Sequence, residues 1–172
     1  MFPGVEIDLE RLYDEHAQAL HAFGLSLTRS TADTKDLLQD MFVKLARNPG
    51  LLAGIRDQRG FLLRLMHHAA IDLFRRGAVR AAALDGAAAQ DSPMFAAVAD
   101  PDERAFRDSV ESAMIELPAE QRAVLHLKLW EGRTFDAIAE LLGIPLNTAA
   151  SRYRYGLDKL RSRLRPLYDE LR

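Results

Sequence analysis

Apolar residues recur at three- and four-residue steps through almost the whole chain. Leu9, Leu12, His16, Leu20, Phe23 and Leu27 make one such stripe, which predicts a long first amphipathic helix. Residues 29–33 end it and supply cap-type side chains for the next. From Thr34, Leu37, Leu38, Met41, Phe42 and Leu45 form a second stripe, stopped by Asn48-Pro49-Gly50. A third helix is predicted over about 61–76, with Leu62, Met66, Ala69 and Leu73 on its core side. Further helices are expected around 103–116, 118–130, 134–142 and 146–167. Nothing alternates with a period of two and nothing repeats, so the pattern predicts an all-α fold.

Residues 77–104 break the pattern. Ten of these 28 residues are Ala, punctuated by Gly77, Gly86, Pro93 and Pro101, with few large apolar side chains to bury. We expect a linker here, joining a helical domain over 1–76 to a second over 105–172.

Composition narrows the function. The 172 residues are 48% hydrophobic and 28% charged, the balance of a globular protein. No apolar run reaches the roughly 18 residues of a membrane span, which predicts no membrane insertion. The chain opens without a basic segment followed by an apolar one, which predicts no signal peptide. It has no cysteine, which excludes disulfides, thiolate catalysis and Cys-ligated zinc and fits a reducing cytoplasm.

The formal net charge of −2 conceals an uneven distribution. Residues 147–165 hold Arg152, Arg154, Lys159, Arg161, Arg163 and Arg165 against the single acid Asp158. A phosphate backbone responds to that local charge, not to the average. Just upstream, Thr134 can cap a short helix, Ala139 is small enough for a close helix crossing, and Gly143 suits a tight turn. This is the layout of a helix-turn-helix, whose second helix enters the major groove. On that second helix Ala149, Tyr153, Leu157, Leu160 and Leu164 share one stripe. Thr148, Arg152, Tyr155, Lys159 and Arg163 lie to one side of it; Arg154, Arg161 and Arg165 lie to the other. Arg152 and Arg154, near its start, are placed for base edges. Charge alone also fits a solvated helix face; the turn motif favours DNA.

Two other helices carry candidate surfaces. On the third, Arg64, His67, His68, Ile71 and Arg75 cluster opposite the core stripe, beside Phe61 and Phe74. Cations with aromatic neighbours suit single-stranded nucleic acid, although a basic helix end complementing its dipole is the simpler reading of this helix alone. On the second, Asp36, Gln39, Asp40 and Lys44 form a polar face next to Phe42 and Val43, either a docking surface or a solvated face. No metal site is expected. Adjacent His67 and His68 point about 100° apart, and His16, His21 and His126 lack ligand spacing. No phosphate loop, zinc-protease or nucleophile-elbow motif is present, so neither cofactor nor catalytic residue is assigned.

Three segments together resemble the small two-domain bacterial sigma factors of the extracytoplasmic function group, in the sigma-70 family, over about residues 9–165. Asp36-Leu37-Leu38-Gln39-Asp40-Met41-Phe42 looks like that family's core-binding segment. Arg59-Gly60-Phe61-Leu62 through Ala70-Ile71-Asp72-Leu73-Phe74-Arg75-Arg76 looks like its promoter-melting helix. Leu117-Pro118-Ala119-Glu120-Gln121-Arg122 through Ser151-Arg152 looks like its C-terminal helix-turn-helix domain. The resemblance implies a sigma region 2-like bundle and a region 4-like domain. It implies that Asp36, Gln39, Asp40 and Phe42 dock on RNA polymerase core. It implies that Arg64, His67, His68, Asp72, Arg75 and Arg76 serve the −10 element. Asn147, Thr148, Ser151, Arg152, Arg154 and Tyr155 would serve the −35 element. The linker would thread through the polymerase, its acids mimicking nucleic acid. Promoter DNA and core polymerase are thus the implied partners, and the family also allows for an anti-sigma factor.

The chain departs from the family's pattern at several positions. Thr34-Lys35 stands for a usual Ala-Glu, His68 for a frequent Asn, Pro145 for a Ser cap, Asn147 for a Gly, and Ala149-Ala150 for Val-Lys. Asn147 and Tyr155 are the expected replacement contacts. Two other readings use fewer residues. A stand-alone helix-turn-helix regulator leaves residues 1–76 without a task and predicts dimeric, core-independent binding to a palindrome. A helical protein-binding adaptor predicts no promoter effect.

Overall fold

The computed structural model describes residues 8–81 and 100–170. Their ordered elements are helical: α1 (Leu9–Thr28), α2 (Thr31–Arg47), a short 3-10 turn (Pro49–Leu52), α3 (Gln58–Ala81), α4 (Pro101–Ile115), α5 (Ala119–Leu129), α6 (Phe135–Leu142) and α7 (Leu146–Glu170). The chain divides into two compact units, Met1–Gln90 and Asp91–Arg172. The expected linker falls largely on residues 82–99, outside the described residues.

In the first unit α1, α2 and α3 pack around one core. Asp8 caps α1, its carboxylate accepting from Arg11 N at 3.0 Å. At the other end Arg29 adopts φ 58°, and its N–H bonds Leu25 O at 2.9 Å. That left-handed residue turns the chain, and Ser30 begins α2 at once by accepting from Asp33 N at 3.2 Å. Helix α2 therefore starts three residues earlier than its apolar stripe predicts. Thr34 falls inside it, buried, with its Oγ1 2.7 Å from Thr28 Oγ1 and donating to Ser30 O at 2.8 Å. These hydroxyl bonds tie the α1–α2 corner and satisfy polar groups that burial would otherwise penalise.

Gly24 sets how closely the three helices meet. A Cβ placed there would lie 2.9 Å from Thr34 Cγ2 and 3.0 Å from Met66 Sδ. The core of the unit holds Leu12, Leu20, Phe23 and Leu27 of α1, Leu37, Leu38, Met41 and Leu45 of α2, and Leu52 of the 3-10 turn. On α3 the buried set is Leu62, Leu63, Met66 and Ala70, whereas Ala69 and Leu73 are only half-buried. The core arc is thus rotated from the predicted stripe. A helix that touches two neighbours buries a wide sector centred between them, so adjacent residues such as Leu62 and Leu63 both go inside. Helix α3 is also longer than expected. Asp57 caps it by accepting from Gly60 N at 2.8 Å, and it continues through Gly77 to Ala81. A helical glycine costs about 1 kcal/mol, too little to stop a helix running into Ala-rich sequence.

The second unit packs α4, α5 and α6 against α7. Asp100 caps α4, accepting from Asp102 N at 2.9 Å, with Pro101 at the first helical position. The core holds Met114, Leu117, Val124, Leu125, Leu127, Ile138, Leu141, Leu142, Ala149 and Leu160. Arg122 is buried among them. Its guanidinium donates to Leu117 O and, at 3.2 Å, to Ile115 O. It thereby satisfies carbonyls that the end of α4 leaves open. The close crossing of α5 and α7 is at Gly156, where a Cβ would lie 3.0 Å from Leu125 Cδ1 and 3.3 Å from Gln121 Cβ. Helix α7 carries on through Pro166 to Glu170.

Gly24→Ala opposes two effects. Helix propensity favours the alanine by about 1 kcal/mol, while overpacking costs about 1–3 kcal/mol. The obstructing Thr34 methyl belongs to a β-branched side chain held by hydrogen bonds, so overpacking wins. We expect a net loss of about 1 kcal/mol. Gly24→Ala/Thr34→Ser removes that methyl, keeps the hydroxyl, and should recover part of the loss in denaturant midpoint.

His21 supplies a pH test. Burial, and secondarily the charge of Lys35, holds its imidazole pKa below the usual range. The folded protein therefore favours the neutral ring. As pH falls below about 6.5 the unfolded chain takes up the proton first, and stability declines until the lower folded pKa is passed. Between about pH 8 and about pH 5 wild type should lose more stability than His21→Gln.

Candidate functional site

Three surfaces carry the candidate residues. On α2, Asp36, Gln39 and Asp40 are exposed and share one face, since steps of three and four return to the same side of a helix. Phe42 stands at the edge of that face, half-buried, packed edge-on against Tyr13 with ring centroids 5.0 Å apart and planes at 67°. Together with Leu38 and the exposed Val43, these rings line a shallow apolar groove beside the acids. Tyr13 is 48% exposed and was not among the residues picked from sequence. Its place one residue off the α1 stripe was the available signal. The groove offers a partner an apolar contact area whose polar lining is Lys35 and Gln39, with Asp36 and Asp40 exposed on the neighbouring face of α2.

The six α3 candidates do not converge on one point. Arg64, His68 and Arg75 follow one stripe, Arg64 lying over the Phe61 ring at 5.5 Å. His67 is half-buried near the core side, its ring 6.0 Å from that of His68. Asp72 and Arg76 lie on the other flank. Arg75 Nη1 is 3.8 Å from Asp72 Oδ1, and Arg76 Nε donates to Asp72 O at 3.3 Å. Phe74 is exposed on the same helix.

In the second unit the chain turns as the motif requires. Thr134 Oγ1 caps α6 by accepting from Ala137 N at 3.2 Å. Gly143, at φ 65°, ends α6, and Ile144 N bonds back to Ala139 O at 3.0 Å. Pro145 supplies no side-chain cap, but its carbonyl accepts from Thr148 N and Ala149 N at 3.0 and 3.1 Å. The angle between the two helices is held by Phe135, which packs edge-on against Tyr153 at 5.3 Å and carries the Lys128 ammonium over its ring at 4.6 Å. Ala149 is wholly buried. That position belongs to the core, and Ala150 beside it is half-buried.

Asn147, Arg154 and Tyr155 are exposed on α7, with Ser151 and Thr148 half-buried alongside. Ser151 Oγ donates to Thr148 O at 3.1 Å. Arg154 lies against the Tyr155 ring at 5.4 Å, a planar pair that presents donors and an aromatic face together. Arg152 is turned toward α5, its Nη2 3.3 Å from Glu120 Oε2. The sequence puts Arg152 and Arg154 on opposite sides of the buried stripe, both near the helix start. The structure holds one to the domain and leaves the other outward.

Comparisons with known proteins cover both units. The Sigma-70 region 2 family model matches residues 12–80, and the Sigma-70, region 4 model matches residues 113–162. The chain is 29% identical over 161 residues to the ECF RNA polymerase sigma factor SigL of Mycobacterium tuberculosis, covering 92% of this chain and 90% of that one. It is 26% identical over 177 residues to the ECF RNA polymerase sigma factor SigX of Bacillus subtilis, covering 97% and 89%. Among solved structures, the sigma factor RpoE of Bartonella quintana, in complex with the anti-sigma factor NepR, superimposes with a TM-score of 0.75. That match has 20% identity and covers 92% of this chain and 97% of that one.

Proposed function

The chain belongs to the extracytoplasmic function group of the sigma-70 family, and from that premise we propose which of its residues carry the two tasks of a sigma factor. It binds RNA polymerase core and directs initiation at particular promoters. The observation that carries the assignment is the order of surfaces along one chain. An apolar groove on α2 with exposed acids on the adjoining face is followed by a basic helix with aromatic neighbours, and that by a helix-turn-helix.

The α2 face, with Asp36, Gln39, Asp40 and Phe42 backed by Tyr13, docks on core polymerase. The α3 residues Arg64, His67, His68, Asp72, Arg75 and Arg76 meet the −10 element, where cations face phosphates and aromatic rings accept unstacked bases. The N-terminal half of α7 enters the −35 major groove, with Asn147, Thr148, Ser151, Arg152, Arg154 and Tyr155 toward the DNA. We assign no catalytic residue, because initiation chemistry belongs to the polymerase. We place the protein in the cytoplasm, where its polymerase works; among the described residues no helix is long and apolar enough to cross a membrane. An inhibitor of the anti-sigma kind fits the reading, since the structural neighbour was solved bound to one. Neither a stand-alone regulator nor an adaptor uses both units.

Binding to purified bacterial core RNA polymerase tests the docking face. Asp36→Ala/Gln39→Ala should weaken it by about tenfold, the loss of one or two interface contacts, and leave the unfolding midpoint unchanged because both side chains are exposed. Promoter fragments tell the third surface apart from the first. Arg152→Ala should reduce holoenzyme binding to the upstream element by about tenfold and leave core binding intact.

A further inference from the structure

The cations of α7 are not equivalent. Arg152 Nη2 lies 3.3 Å from Glu120 Oε2 in the first turn of α5, and Arg163 Nη2 lies 2.5 Å from Glu116 Oε2 at the end of α4. Both acids come from the α4–α5 corner, and both pairs lie on one flank of α7. On the other flank Arg154, Arg161 and Arg165 make no ion pair among the described residues.

Exposed ion pairs contribute little to stability. The Arg152 pair acts instead on geometry. The Arg152 side chain is only 27% exposed, while Glu120 is 67% exposed, so the arginine stem is packed and the carboxylate approaches from the rim. A guanidinium has five N–H donors. The contact is at Nη2, whose two N–H groups belong one to each of the guanidinium's two forks, Nη1/Nη2 and Nε/Nη2, so it engages one fork and leaves the other open. Bidentate readout of guanine needs such a free edge, held in one orientation. Arg152 stands in the second turn of α7, within the part of a recognition helix that meets base edges.

We propose that Glu120 is a positioning residue for promoter reading. It holds Arg152 by one nitrogen so that the remaining guanidinium edge meets a base in the −35 element in a single orientation. This rests on the assignment of α7 to that element. Glu120 touches no DNA itself; its effect passes through Arg152.

The experiment uses the full chain assembled with core polymerase. It measures binding to promoter fragments with the upstream element varied one base pair at a time. Wild type is compared with Glu120→Ala, Glu120→Gln, Arg152→Ala and Glu120→Ala/Arg152→Ala. Loss of the carboxylate should reduce discrimination at the base pair that Arg152 reads by about tenfold, the scale of one bidentate contact. Core binding and unfolding midpoint should stay as they are. Glu120→Gln keeps an acceptor and should recover part of the discrimination. In the Arg152→Ala background Glu120→Ala should add nothing, because the two residues act as one unit.

A uniform gain in affinity for every sequence, with Gln and Ala alike, would overturn the proposal and make Glu120 only a carboxylate that repels phosphates. Unchanged discrimination in Glu120→Ala, while Arg152→Ala loses it, would overturn the positioning role and leave the −35 assignment standing. Unchanged discrimination in Arg152→Ala would overturn both.

Discussion

Helix axes come closest where side chains are smallest, and each unit has one crossing at which even a Cβ would be crowded. At Gly24 the backbone of α1 meets Thr34 and Met66; at Gly156 the backbone of α7 meets Leu125 and Gln121. Helix propensity works against both glycines, so tertiary packing must outweigh it. The core of the first unit holds buried leucines of three helices, and each one removed from water contributes about 1.5–3 kcal/mol. Around Gly156, contact with α5 decides how far α7 stands from its domain and which sector of its surface remains outside.

Polar groups at helix ends complete what the apolar contacts begin. Helix ends leave carbonyl and amide groups unbonded, and burying them so is costly. The hydroxyls of Thr28, Ser30 and Thr34 close the α1–α2 corner. Arg122 does the same at the α4–α5 corner through the carbonyls of Ile115 and Leu117. The Thr34 methyl also fills the space over Gly24. The candidate faces are thus held partly by buried polar groups, Thr34 and Arg122, that lie away from them. The α2 acids point outward because the opposite side of that helix is tied down, and α7 is seated by Ala149, Gly156 and Leu160.

Charge is arranged rather than accumulated. A net charge of −2 leaves little general attraction to DNA, which suits a factor that should engage promoters when assembled with its polymerase. Within the second unit, acids from the α4–α5 corner pair with cations on one side of α7, while Arg154, Arg161 and Arg165, which share the other side with Asp158, make no ion pair among the described residues. That asymmetry gives the helix a direction with respect to a phosphate backbone. A uniformly basic helix would lack it and would bind many sequences alike.

The helical class, the order of elements and the helix-turn-helix were legible in the sequence because they rest on local rules. Apolar periodicity acts within a few turns, and Thr134 and Gly143 do their work on their immediate neighbours. The exposed acids of α2 and the outward Arg154 and Tyr155 were legible for the same reason, since a buried stripe leaves its opposite face to solvent. Where local rules met neighbours, the outcome changed. The core arc of α3 turned toward Leu63 and Ala70 because two helices pack on it, and Tyr13 joined the α2 face from another element. Glu120 and Glu116 found Arg152 and Arg163 across the fold. A side chain's own helix sets the direction in which it leaves the backbone; what it touches there depends on which distant segment the close crossings at Gly24 and Gly156 bring alongside, and no local pattern encodes that distance.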